Sequence, residues 1–123
     1  MYDKLLTKQE DKVMELFWNL RVTLTSRDIL ELLRSEDWTG SYVYSVLRSL
    51  EKKNMISVCG EIRSKTQTLK EYVACISKEE FYVRLALSNH VNVRKYIDLA
   101  IRTVAQENPR ELERIYDELI QNK

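Results

Sequence analysis

The chain has 123 residues, 44% hydrophobic and 32% charged, enough for one compact domain or for a small domain with an appendage. Two Gly and one Pro are too few for a turn-rich β architecture and suit helices, whose interiors tolerate neither residue well. A net charge of +1 argues against a sequence-blind polyanion binder, and no apolar run approaches the roughly 20 residues that span a bilayer.

The first element is signalled by Thr7 and Glu10, a capping box that opens a helix with Val13, Met14, Leu16, Phe17, Trp18 and Leu20 as its apolar stripe. Thr25 and Asp28 repeat the pattern ahead of a short second helix, with Ile29, Leu32 and Leu33 on one face before Ser35. Thr39 or Ser41 caps a third helix, in which Val43, Val46, Leu47 and Leu50 recur at i, i+3, i+4 and i+7. Asn54 is placed to end it in the left-handed conformation. The period then changes. Met55 to Ile62 and Leu69 to Ile76 are rich in β-branched and aromatic residues and flank a polar, basic stretch, which predicts a β-hairpin. Ser77 and Glu80 open a fourth helix containing Phe81, Leu85 and Leu87.

Val93, Tyr96, Ile97, Ala100, Ile101 and Val104 keep helical spacing in a fifth helix. Asn108-Pro109 starts a sixth, with Leu112, Ile115, Tyr116, Leu119 and Ile120 as its stripe. These last helices cannot bury their apolar faces alone in so short a segment, so a second copy is the simplest cover and a homodimer is expected. Three helices followed by a two-stranded hairpin is a winged-helix order, in which helices 2 and 3 form a helix-turn-helix. The expected fold is therefore mostly α with a small β-hairpin wing: a winged helix-turn-helix domain over residues 1–76 and a helical dimerisation region over 77–123.

With its apolar residues inward, the third helix turns Ser41, Ser45, Arg48 and Lys52 outward, flanked by Tyr44 on one side and by Ser49 and Tyr42 on the other. Hydroxyls donate to phosphates or accept from base edges, and an arginine grips guanine through two parallel bonds. Thr25, Ser26 and Arg27 fall where the second helix would meet a phosphate backbone, and Thr39 falls at the start of the third. Arg63 and Lys65 mark the hairpin tip, as a phosphate or minor-groove contact or as a solubilising turn. The outward row is either a DNA-reading face or an ordinary solvated one. Residues 38 to 76 carry six basic side chains against three acidic, a local and modest excess.

Other chemistry is sparse. His90, the single histidine, has no matched partner for a metal or for base catalysis and reads as structural. Cys59 and Cys75 fall on the two strands at separations from the tip that could bring them opposite, and reduced, buried thiols are expected. Trp18 and Trp38 read as core anchors. There is no Gly-rich phosphate loop, nucleophile elbow or paired His and carboxylate, so no enzyme, cofactor, metal or small-molecule ligand is expected. With no basic start leading into an apolar leader, the expected location is the cytoplasm.

The run Asp11-Lys12-Val13-Met14-Glu15-Leu16-Phe17-Trp18 resembles the first helix of the penicillinase and methicillin-resistance repressor family, which includes copper-responsive repressors. Trp38 to Ile56 is similar to that family's recognition helix and the start of its wing. Glu71-Tyr72-Val73 through Ser77-Lys78-Glu79-Glu80-Phe81 resembles the wing strand leading into the tail, and Asn108 to Leu119 the acidic final helix. The resemblance implies a winged helix with a helical dimerisation tail, repressing transcription from palindromic operators.

The sequence departs from that pattern at Gly40, Ser41 and Tyr42, where the family usually carries Pro, Lys and Thr, and near Ser49, where a basic residue is usual. A different operator sequence is therefore expected. Antibiotic-responsive members carry an Asn-Phe cleavage pair where this chain has Ala100-Ile101, and copper-responsive members a Cys-x-Cys tail where it has Gln121-Asn122-Lys123. Neither inactivation mechanism is expected. The reading from another class is a winged helix used as a protein-interaction module, which the modest charge favours.

Overall fold

A computed structural model describes residues 5–122. Along the chain run α1 (Lys8–Leu20), α2 (Ser26–Leu32), a 3₁₀ turn (Arg34–Glu36), α3 (Gly40–Lys52), β1 (Ile56–Arg63), β2 (Thr68–Ala74), α4 (Lys78–Ser88), α5 (Val93–Glu107) and α6 (Pro109–Gln121). The chain divides into two compact units, one ending at Leu85 and one beginning at Ala86.

The helices begin where side chains satisfy their free backbone N–H groups. The Thr7 hydroxyl accepts from the Glu10 N–H at 3.1 Å, and the Glu10 carboxylate accepts from the Thr7 N–H at 2.9 Å. Thr25 and Asp28 form the same reciprocal box on α2. Of the two residues that could cap α3, Thr39 is the one that does, accepting from the Tyr42 N–H at 3.1 Å. Asn54 closes that helix at φ 61, with the Asn54 N–H bonded to the Glu51 carbonyl and the Met55 N–H to that of Leu50.

In the first unit, Val13, Met14 and Phe17 of α1, Ile29 of α2 and Val43, Val46, Leu47 and Leu50 of α3 form the core with Leu24, Met55, Ile56, Tyr72, Ile76, Phe81 and Leu85. Trp18 and Trp38 are half-buried against it, and the Trp18 indole N–H donates to the Ile76 carbonyl at 2.9 Å. Two expected stripe members stay outside. Leu20 ends α1 beside Arg21, which turns left-handed at φ 55, and is exposed. Leu32 is also exposed, because Leu33, four residues beyond Ile29, takes the inward place as α2 gives way to the 3₁₀ turn. Leu87, near the end of α4, is exposed as well.

The hairpin is antiparallel, and its strands are offset from the expected spans. Met55 is drawn into the helix stop, so β1 begins at Ile56, and the pairing runs from Ile56 opposite Ala74 to Arg63 opposite Thr68. A bulge between Val58 and Gly60 leaves Cys59 as the extra residue, while Cys75 lies beyond the end of β2. The two thiols are therefore not opposite one another, and both are free and exposed rather than buried. The connector between α1 and α2 also joins the sheet, since Leu24 and Tyr72 exchange two backbone hydrogen bonds of 3.0 and 2.8 Å.

In the second unit α5 packs on α6. Asn92 caps α5, and Asn108 caps α6 ahead of Pro109. None of the residues of these two helices is buried. The architecture is mostly α with a small hairpin, a winged helix-turn-helix followed by helices. Among the described residues, no helix is long and apolar enough to cross a membrane, and no three His, Cys, Asp or Glu side chains stand together as a metal site. His90 is exposed and left-handed, at φ 58, in the turn after α4.

Candidate nucleic-acid interface

The third helix has one face embedded and the other open. Val43, Leu47 and Leu50 are fully buried and Val46 nearly so, a consequence of their spacing. Ser41, Tyr42, Tyr44, Ser45, Arg48 and Lys52 are all exposed. Caps at both ends and a packed inner face make α3 a rigid rod that presents these six side chains together.

Two aromatic contacts order this surface. Trp38 meets Tyr42 edge-on with ring centroids 5.0 Å apart, and the Arg48 guanidinium carbon lies 5.9 Å from the centroid of the Tyr44 ring. Tyr44 and Arg48 are four residues apart, the spacing that brings side chains together on a helix, whereas Trp38 lies just before the Thr39 cap and folds back against the first turn. That spacing was present in the sequence as the signal for Tyr44 and Arg48.

Ser49 differs from its neighbours. It is half-buried, and its hydroxyl donates to Glu10 at 2.5 Å, while Lys53 donates to the other carboxylate oxygen at 2.6 Å. Burial pushes the Glu10 carboxyl up, but the hydrogen bonds from Lys53, Ser49 and the Thr7 backbone outweigh it and hold its pKa below the usual 4.5. Ser49 and Lys53 thus lock α3 to α1 and are occupied.

At the start of α2, Thr25 is 3% exposed and its hydroxyl is engaged in the capping box. Ser26 is half-buried beside it and Arg27 is exposed. Thr39 is exposed, with its hydroxyl serving the α3 cap and lying 3.3 Å from that of Ser41. On the hairpin, Arg63 ends β1 and Lys65 sits in the tip, both exposed. Ser64 closes that tip: its N–H and hydroxyl donate to the Gln67 carbonyl at 2.8 and 2.9 Å. Among the described residues, no hydrogen bond or ion pair ties Arg63 or Lys65 to the α3 row, so the hairpin tip and the helix are separate elements of the surface. Arg27, Arg48, Lys52, Arg63 and Lys65 form no ion pair with a carboxylate among the described residues, which leaves their charge available to a polyanion.

A family model described as penicillinase repressor matches residues 6–121. The chain belongs to the penicillinase repressor family. The match covers both units, so this family member carries the helical segment as well as the winged helix. The family is one of transcriptional repressors rather than enzymes. No individually curated protein matches the chain. In this repressor-family chain, Ala100 and Ile101 lie exposed on α5.

Proposed function

We propose that the protein is a homodimeric transcriptional repressor that reads a palindromic operator in double-stranded DNA, with α3 in the major groove. The observation that carries this reading is the outward face of α3. Two hydroxyls, two tyrosines, an arginine and a lysine stand exposed on a helix whose other face is buried, in a chain of a repressor family. Ser41, Ser45 and Arg48 are suited to base edges, and Lys52, Arg27 and Ser26 to phosphates. Arg63 and Lys65 on the wing reach the neighbouring backbone or minor groove. Thr25 and Thr39 support the interface as caps that fix the first turns of α2 and α3.

The DNA-binding region falls within residues 1–76 and the self-association region within 77–123. Phe81 and Leu85 belong to the core of the first unit, so the self-association surface is assigned to α5 and α6. There Val93, Tyr96, Ile97 and Ala100 stand exposed on α5 with Ile101, while Val104 is half-buried. Ile115, Tyr116, Leu119 and Ile120 are exposed on α6, beside a half-buried Leu112. Water-exposed apolar stripes of this length call for a partner, and a two-fold copy matches them with half-sites related by the same symmetry.

An electrophoretic shift with the full-length protein on its own upstream DNA tests the reading, with saturable binding competed poorly by unrelated duplex as the expected outcome. The near-balanced charge favours a second reading, a winged helix that binds another protein. Failure to shift any upstream fragment at low salt would give that reading precedence.

A further inference from the structure

We propose that Tyr44 is a positioning residue that holds Arg48 in the orientation needed to bond a guanine, so that the operator carries a G·C pair read through this cation–ring couple. The inference rests on the repressor reading above and deepens it. Arg48 is the one arginine of α3, and it stands four residues after Tyr44 with its guanidinium carbon 5.9 Å from the ring centroid. Helical side chains lean toward the N-terminus of their helix, so Arg48 reaches back over Tyr44 toward the end of α3 that addresses base edges in a helix-turn-helix.

The kind of partner matters. A carboxylate would occupy the donor edge of a guanidinium, the edge that guanine O6 and N7 require. A ring attracts the cation and restricts its rotamers without accepting a paired, bidentate set of its hydrogen bonds as a carboxylate does. Among the described residues, no carboxylate forms an ion pair with Arg48, although Glu51 lies three residues away on the same helix. Arg48 is thus held without being neutralised. Tyr44 is 46% exposed and is not part of the core of the first unit, so it can be replaced without loss of the fold.

The test uses the full-length protein and a library of random duplexes, from which bound sequences are selected and each base pair of the enriched site is then varied. Wild type is expected to enrich a site with a strongly preferred guanine, and Arg48→Ala to lose about tenfold or more of the preference at that pair alone. Tyr44→Leu should lose about two- to fivefold of the preference at the same pair, with its salt slope unchanged. Tyr44→Phe, which keeps the ring, should restore the preference. Circular dichroism melts confirm that each variant is folded. If Tyr44→Leu instead acts at a different base pair, or weakens all sequences alike, Tyr44 touches DNA itself and the proposal is overturned. It is equally overturned if Tyr44→Phe behaves as Tyr44→Leu does, because the hydroxyl is then the active part. An enriched site that Arg48→Ala reads as wild type does refutes the couple while leaving the repressor reading intact. A library that enriches no sequence refutes both.

Discussion

Lys53 at the end of α3 places its ammonium 2.6 Å from the carboxylate of Glu10, which is only 2% exposed in the first turn of α1. Ser49 donates to the same carboxylate, so one buried acid joins the helix that carries the candidate interface to the helix that anchors the core. The carboxylate also completes the cap of α1, and its protonation would weaken all three roles at once.

The depressed pKa of Glu10 fixes the sign of a pH effect. A carboxyl whose folded value lies below its unfolded 4.5 contributes stability that is complete above 4.5 and is lost as pH falls through the lowered value. Urea unfolding measured from about pH 6 down to about pH 3 should therefore show the free energy falling toward the acid end. Glu10→Gln should flatten that fall and cost roughly 1 to 3 kcal/mol at neutral pH, because Lys53 and Ser49 lose a charged acceptor. An unchanged acid limb in the variant would show that other carboxyls control it.

Trp18 is half-buried rather than enclosed, and its indole N–H has a defined acceptor in the Ile76 carbonyl. Trp18→Ala should thus cost less than the roughly 3 to 5 kcal/mol of a fully buried ring. Trp18→Phe, which keeps contact with Phe81 but removes the donor, should cost about 1 kcal/mol. Thermal melts followed by circular dichroism give both values. A larger loss for Phe than for Ala would contradict this packing.

Asn54 adopts φ 61 at the end of α3, a conformation that glycine enters without steric cost. Asn54→Gly should hold or raise the melting temperature, whereas Asn54→Ala should lower stability by about 1 kcal/mol. The pair of melts is decisive when read together: equal effects would mean the left-handed turn is not retained in solution.

On the proposed dimer, Leu119 is 66% exposed in the chain alone and belongs to the stripe assigned to the partner. Leu119→Glu should shift full-length protein from dimer to monomer in light scattering at micromolar concentration and weaken operator binding. A wild-type protein that is already monomeric there removes the assembly from the proposal.

Lys65 lies at the wing tip with no carboxylate partner among the described residues, where a backbone contact is the contact expected. Lys65→Ala should weaken binding to all sequences about equally and reduce the salt slope by roughly one unit. A base-specific change on titration with different duplexes would assign Lys65 to readout instead.

Much of this was written locally. The capping boxes at Thr7 and Thr25, the αL stop at Asn54 and the inward row of α3 depend on residues within one or two turns, and their spacing could be read directly. What escaped the sequence depends on distant partners. Nothing near Ser49 points to Glu10, 39 positions earlier, so a residue that flanks the outward row turned out to be half-buried and occupied. The cysteines fail as an opposed pair because the root register sets Ile56 opposite Ala74, which brings Cys59 level with Glu71 and Tyr72 and leaves Cys75 beyond the end of β2. That register is fixed by the helix stop before β1 rather than by the strand residues themselves. Leu24 forms a bridge rather than a strand, too short for any period to register. The outward α3 residues were legible as a face and the four-residue spacing of Tyr44 and Arg48 was visible in it, but that the guanidinium lies over the ring required side-chain geometry.

The two hydrogen bonds between Leu24 and Tyr72 pin the hairpin at its root. A one-residue slip there would send Tyr72 from the core to solvent, so register at this end cannot drift. Just past the bulge the Thr23 hydroxyl donates to the Glu71 carboxylate at 3.0 Å, and from Glu61 and Lys70 to the tip the two strands hold each other, with most of their residues exposed. Matched additions to both arms between Glu61 and Lys70 would leave the root untouched, and two residues per arm would extend the hairpin by roughly 7 Å. The reach of the hairpin is therefore adjustable independently of the core, and, under the proposed function, lengthening or trimming it is a route to changing how much DNA the wing would cover without redesigning the fold.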